Sequence, residues 1–302
     1  MQSKAYPYIL LLSLFWGTNI VASRFGIGEF DPYLFIALRL AIATLFFVPI
    51  LFISGRKWPT ELNIWRHAVL SGILGVAVPM TSFILSLQYQ SSGVASIFVT
   101  ASPAIIVIMA HFFLPDEKMT RNKALGLVLA LLGALFLVLR GESGLADVGR
   151  ASPWGFLLVM MGLVSEAINT MFVRRRMKDM EPMTVTGIRL LTGATIVLIM
   201  ALVIGDFSLA AVTPAGIFSL AYAALIGALA GQFTAFYIQR RFGATAFSLT
   251  AYLIPVVATT FGVLLLDEIV TWAMLVGIVL IGSGIYLISK RTAVSVRRMP
   301  IR

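Results

Sequence analysis

Residues 31–40 read DPYLFIALRL and residues 181–190 read EPMTVTGIRL. In both, an acid and a proline lead an apolar run that carries an arginine seven residues beyond the proline. The two stretches stand 150 residues apart in a chain of 302. At the same spacing Asn19 falls on Asn169 and Arg24 on Arg174. Further along, Pro103 falls on Pro255 at a spacing of 152. Asp116-Glu117 then matches Asp267-Glu268, and GLVLALLG (126–133) matches GIVLIGSG (277–284), at 151. Single-residue insertions account for the drift, and the chain reads as two copies of one unit.

Composition says where such a unit lives. The chain is 59% hydrophobic and 12% charged, with a mean hydropathy of +0.96. A soluble domain carries about 25% charged residues, so this chain lacks the polar residues to cover itself. Apolar runs of about 20 residues, the span of a bilayer core, recur throughout. The first, Ala5–Ala22, has only Lys4 before it and no small-residue cleavage site, which predicts a retained helix rather than a signal peptide. The absence of cysteine excludes disulfides, thiol chemistry and Cys-ligated metals. With only His67 and His111, no metal site is expected. No phosphate-cradling loop, nucleotide cassette or HExxH is present, so no cofactor and no enzymatic or ATP-driven chemistry is expected of this chain.

Windowed apolarity predicts ten helical spans, near 6–27, 32–54, 67–88, 93–114, 121–140, 153–173, 183–205, 214–237, 244–266 and 270–289. Lys/Arg bias sets their orientation. With a cytoplasmic N-terminus, of 23 Lys and Arg residues only Arg24, Arg140 and Arg150 fall outside the cell and Arg39 and Arg189 within spans. Both termini are therefore expected in the cytoplasm, the C-terminal one as a basic tail over 291–302. The net charge of +10 is then a topology signal, and no nucleic-acid partner is expected. The expected partners are the bilayer and a small molecule, with a monomer sufficing.

The predicted fold is all-α and integral to the membrane: ten transmembrane helices as two five-helix repeats, 1–145 and 146–290, around a central cavity. Because five is odd, the second repeat is inverted. Inverted repeats are the recurring design of secondary transporters, with the substrate near the midplane between them. Exchange of conformations between the halves turns an outward-open cavity into an inward-open one at similar energy. A receptor, passive channel or membrane enzyme has no such requirement.

The first span with FWGTNIVASRFG (15–26), the DPYLFIALRL that follows, and SPAIIVIM (102–109) leading to Asp116-Glu117 resemble the EamA-type transporters of the drug/metabolite transporter superfamily. The resemblance covers essentially the whole chain. Within that superfamily it is nearest to the bacterial aromatic amino acid exporters. It implies an inner-membrane carrier that moves an aromatic amino acid or similar metabolite outward by alternating access; related exporters carry drugs or other metabolites.

Residue by residue, Arg39 and Arg189 lie about 10 Å into their spans. The expectation for both is a guanidinium that snorkels back to its own interface, with Asp31 or Glu181 as a second partner. Gating or substrate contact is the alternative. Glu166 in GLVSEAINTMF lies too deep to snorkel and has Trp16 as its counterpart. It is either a contact for an ammonium or proton, or a hydrogen-bonded carboxyl at the cavity wall. Asn19, Asn169 and Gln232 are deep amides that either join helices or line the cavity. Pro103 and Pro255, with Pro79 and its counterpart Gly231, are candidate hinges, since proline removes a helix hydrogen bond. Trp16, Phe83, Phe236 and Tyr252 are candidate flat walls for an aromatic cargo, although an aromatic here equally serves packing.

Overall fold

The computed structural model describes residues 5–55, 59–113, 119–146, 151–177, 179–210, 212–242, 247 and 249–289; within these, the side chains of 182, 236, 239, 240 and 289 are not described. The described residues form ten successive helical rods and no strand. They are α1 (Tyr6–Glu29), α2 (Pro32–Ile53), α3 (Leu62–Ser86), α4 (Ser92–Phe113) and α5 (Arg121–Arg140). Then come α6 (Pro153–Arg176), α7 (Pro182–Ile204), α8 (Pro214–Phe242), α9 (Thr250–Leu266) and α10 (Trp272–Ser289). The first eight are long and apolar enough to cross a membrane; α9 and α10 are shorter apolar helices. Asp116, Glu117 and the 291–302 tail lie outside the described residues.

The acid–proline pairs that open α2 and α7 are helix starts. Asp31 is the N-cap of α2 and accepts from the Leu34 N–H at 3.0 Å. Glu181 does the same for α7 with the Thr184 N–H at 2.6 Å. Each proline follows at a position whose N–H would be unused in any case. Ser91, Thr120, Ser152 and Thr213 cap α4, α5, α6 and α8 in the same manner.

Three rods are irregular within their length. In α3 the turn Ile73–Ala77 is π-helical, with the Val78 N–H bonded to the Ile73 carbonyl. In α8 the stretch Ala223–Ala230 is π-helical and Gly231 closes it. In α4 the helix breaks at Ala101, between Ser92–Thr100 and Ser102–Phe113. Pro79 and Pro103 follow two of these irregularities directly, whereas Pro255 sits inside the continuous helix α9.

The rods pack mainly between the two halves of the chain. α2 lies on α7 and α5 on α10; α1 lies on α8 and α9, while α6 lies on α3 and α4. The α5–α10 crossing is backbone to backbone. A Cβ at Gly133 would meet Ile281 and Leu280, and one at Gly277 would meet Leu137. Two large apolar clusters result. One gathers α1, α2, α3 and α7 around Phe35, Ile36 and Leu40, and the other gathers α4, α5, α6 and α10 around Phe98, Leu137 and Ile281. Outward, the rods carry bare apolar side chains such as Ile53, Phe112, Val203 and Leu264. Such a surface needs lipid; the protein is a multi-pass membrane protein.

Candidate functional site

A polar cluster forms where α6 and α7 meet the π-turn of α3. That turn shifts hydrogen bonding by one residue, so the Leu74 carbonyl loses the Val78 N–H as its partner. The Ser165 hydroxyl of α6 donates to it instead, at 2.8 Å. Pro79 has no N–H to offer the turn before it, which explains why α3 opens at this point. One helical turn beyond Ser165, Asn169 lies against Gly75, and its Oδ1 accepts from Ser71 at 2.7 Å. The Arg189 guanidinium also reaches Gly75. Glu166 stands beside Asn169 and interacts with the charge of Arg189. A carboxyl, an amide and a guanidinium from two helices thus converge on an opened turn of a third.

The matching place in the first half has the same plan with other chemistry. Asn19 of α1 lies against Gly227 in the π-stretch of α8, and Trp16 against Gly231, its indole nitrogen 2.5 Å from where a Cβ would stand. Among the described residues the buried Asn19 Oδ1 has no hydrogen-bond partner. Trp16 is the counterpart of Glu166 at the sequence spacing of 150, an indole where the second half carries a carboxyl.

The two arginines, expected as interface anchors, lie among polar groups of neighbouring helices. Arg39 is 3% exposed. Its Nη1 donates to the Ser23 hydroxyl at 3.0 Å, and Ser23 donates to the Asn19 carbonyl. Arg189 reaches the α3 cluster at Gly75. Asp31 and Glu181 cap their own helices. The remaining candidates separate. Trp16 and Phe83 pack on the edge of the first apolar cluster and Tyr252 on the second, beside Gly282. Gln232 lies on the exposed surface of α8. The side chain of Phe236 lies outside those described. Sequence reasoning missed Ser23, Ser71 and Ser165, because single serines in apolar runs carry no signal until the partner helix is known.

A second polar assembly lies at the opposite end of α1 from the N-terminus. The Glu29 carboxylate accepts from the Thr213 N–H at 2.9 Å and its hydroxyl at 2.8 Å, tying α1 to the start of α8. Glu268, 5% exposed in the α9–α10 connection, accepts from the Ser92 N–H at 2.7 Å and hydroxyl at 2.6 Å. Burial raises its carboxyl above the usual range, while these donors and the charge of Arg24 pull it back down.

A lipid-covered bundle with polar groups gathered at irregular helix turns is the architecture of a membrane carrier rather than of a soluble binding module. The chain belongs to the EamA-like transporter family, whose model matches it twice, over residues 3–139 and 153–290. It is similar to the uncharacterized transporter YoaV of Bacillus subtilis, 28% identical over 92% of this chain and 94% of that one. An uncharacterized transporter of Archaeoglobus fulgidus is 29% identical over 95% and 99%. The uncharacterized inner membrane transporter YedA of Escherichia coli is 24% identical over 84% and 80%. One crystal structure shares the fold, with a TM-score of 0.64 and 18% identity over 95% of this chain and 98% of its own.

Proposed function

We propose that this transporter exports an aromatic amino acid, or a metabolite of that shape, across the bacterial inner membrane by alternating access of two inverted five-helix halves. The observation that carries the reading is reciprocal packing. Asn19 of one half sits on the π-stretch glycine Gly227 of the other, and Asn169 sits on Gly75 in return. The exchange of partners runs through the rods as well, α1 on α8 and α9 answering α6 on α3 and α4. The doubled family match supports the same division. Pro79, Gly231, Pro103 and Pro255 act in this reading as the points where the rods bend.

The cargo reading rests on the resemblance to aromatic amino acid exporters of the YddG type and on the unlike walls of the site. Trp16, Phe83 and Tyr252 supply flat apolar faces, and Glu166, held by Asn169 and Arg189, receives the substrate ammonium. Drugs or other amino acids carried by the same machinery are the second reading.

Counterflow in proteoliposomes tests both parts. Liposomes preloaded with unlabelled Phe are expected to take up labelled Phe or Trp faster than empty ones without an imposed pH gradient. No counterflow of any amino acid from folded protein would move the cargo to another metabolite. Glu166→Gln is expected to weaken Phe counterflow by raising the half-saturating concentration. Loss of pH dependence with unchanged affinity would instead make Glu166 a proton carrier.

A further inference from the structure

The first part of α4, Ser92–Thr100, is a short helix with a break at one end. Ala101 separates it from Ser102–Phe113, and Pro103 has no N–H to restore the ladder across the break. At that end the Thr100 hydroxyl donates to the Ala251 carbonyl of α9 at 3.1 Å. The opposite end meets a carboxylate from the other half of the chain. Glu268 takes the Ser92 N–H on one oxygen, and the Ser92 hydroxyl and the Gly93 N–H on the other. These are three donors at a helix start, where a negative charge is most favourably placed. Two backbone bonds flank the contact, from the Ser91 N–H to the Ser143 carbonyl and from the Ile269 N–H to the Gly144 carbonyl.

The chain is shaped around this carboxylate. Asp267, the residue before it, lies in the left-handed region at φ 52°, a conformation costly for an L residue and least so for aspartate and asparagine. Gly262 leaves the room: a Cβ there would collide with the Glu268 carboxylate and the Ser92 hydroxyl. The neighbouring contact between the halves is of another kind, because α1 and α8 are joined along their length. The Tyr8 and Tyr237 rings lie 4.8 Å apart, the Thr18 and Tyr222 hydroxyls 2.8 Å apart, and Glu29 holds Thr213. A break at one end and a charged contact at the other single out the α4 segment as the part of this face built to move alone.

We propose that Glu268 is the latch of a gate: its carboxylate holds the hinged segment Ser92–Thr100 closed against α9, and the carrier opens at this face when that contact is given up. The proposal rests on the alternating-access reading above for the cycle the gate serves, and on the export reading for making this the release side.

The chain has no cysteine, so Ser96→Cys places its only thiol within the segment. Ser96 is fully buried and its hydroxyl bonds to the Gly93 carbonyl of its own helix. In nanodiscs, with both faces open to solution, this thiol is expected to react slowly with a membrane-impermeant maleimide, relative to an exposed Ser208→Cys control. Adding Glu268→Ala should speed the reaction about tenfold, the effect of losing a hydrogen bond to a charged group. Glu268→Gln, which keeps one acceptor oxygen, should speed it less. A second reporter separates the gate from general loosening: Met177→Cys, buried among residues of α3 and α7, should keep its rate in both variants. An unchanged rate at Ser96→Cys, or an equal rise at both reporters, would overturn the latch. Labelling needs no substrate, so the cargo is judged apart. Phe counterflow that persists when the latch is overturned leaves the export reading standing. Latch behaviour in protein with no counterflow of any amino acid keeps the gate and removes the aromatic cargo.

Discussion

Adding a single methyl at Gly75 would press it onto the Asn169 amide and the Arg189 guanidinium, and the same change at Gly227 would strike Asn19. Gly75→Ala and Gly227→Ala are each expected to destabilise the protein by about 1–3 kcal/mol, the cost of overpacking, read as a lowered melting temperature in detergent. Gly28→Ala is the control, since nothing stands within 4 Å of its Cβ; there alanine should hold or raise the melting temperature. Ser23→Ala removes the acceptor of the buried Arg39 and should cost about 1.5–3 kcal/mol, more than Ser82→Ala, whose hydroxyl bonds within its own helix. Glu166 and Asn169 were legible in the sequence because a deep polar residue in an apolar run stands out alone. The partner of Arg189 was not, because its distance from a helix end is visible in one dimension and its neighbours are not. Glu268 appeared only as half of a repeated dipeptide, and its role depends on Ser92, remote in sequence.

At the scale of the element, the acid–proline pairs that lead two apolar runs cap α2 and α7, and Ser152 and Thr213, each also before a proline, cap α6 and α8. Asp31→Ala and Glu181→Ala should each cost about 0.5–2 kcal/mol without displacing Arg39 or Arg189, which a melting curve and unchanged counterflow affinity would check together. Ser165→Ala leaves the Leu74 carbonyl of α3 without its donor, and a loss of about 1–3 kcal/mol is expected. Proline predicted weak points at 79 and 103, and the backbone is irregular immediately before both. At Pro255 it is not, because α9 continues through the residue. The π-stretch of α8 had no proline to announce it. Asn19 and Trp16 of α1 stand against its glycines Gly227 and Gly231.

Over the whole molecule, hydropathy made the membrane class plain, whereas the packing of α2 on α7 came only from the bundle itself. The remaining packing was out of reach, since most rods are apolar around their whole circumference and no stripe identifies a facing neighbour. Orientation follows from charge bias alone, and it has a direct check in a chain without native thiols. A membrane-impermeant maleimide added to intact cells should label Ser208→Cys, between α7 and α8, and spare Glu61→Cys, at the start of α3. The reverse pattern would turn the molecule over.

The π-turns of α3 and α8 also change how these rods should be numbered around their axes. A π-turn holds one residue more than an α-turn, which rotates everything beyond it by about 100° relative to an uninterrupted helix. A helical wheel drawn through Leu62–Ser86 with one period assigns the residues after Ala77 to the wrong azimuth. A cysteine or tryptophan scan along α3 should therefore show its periodic signal jump in phase across Ile73–Ala77, and along α8 across Ala223–Ala230, while α2 and α7 keep a single phase from end to end.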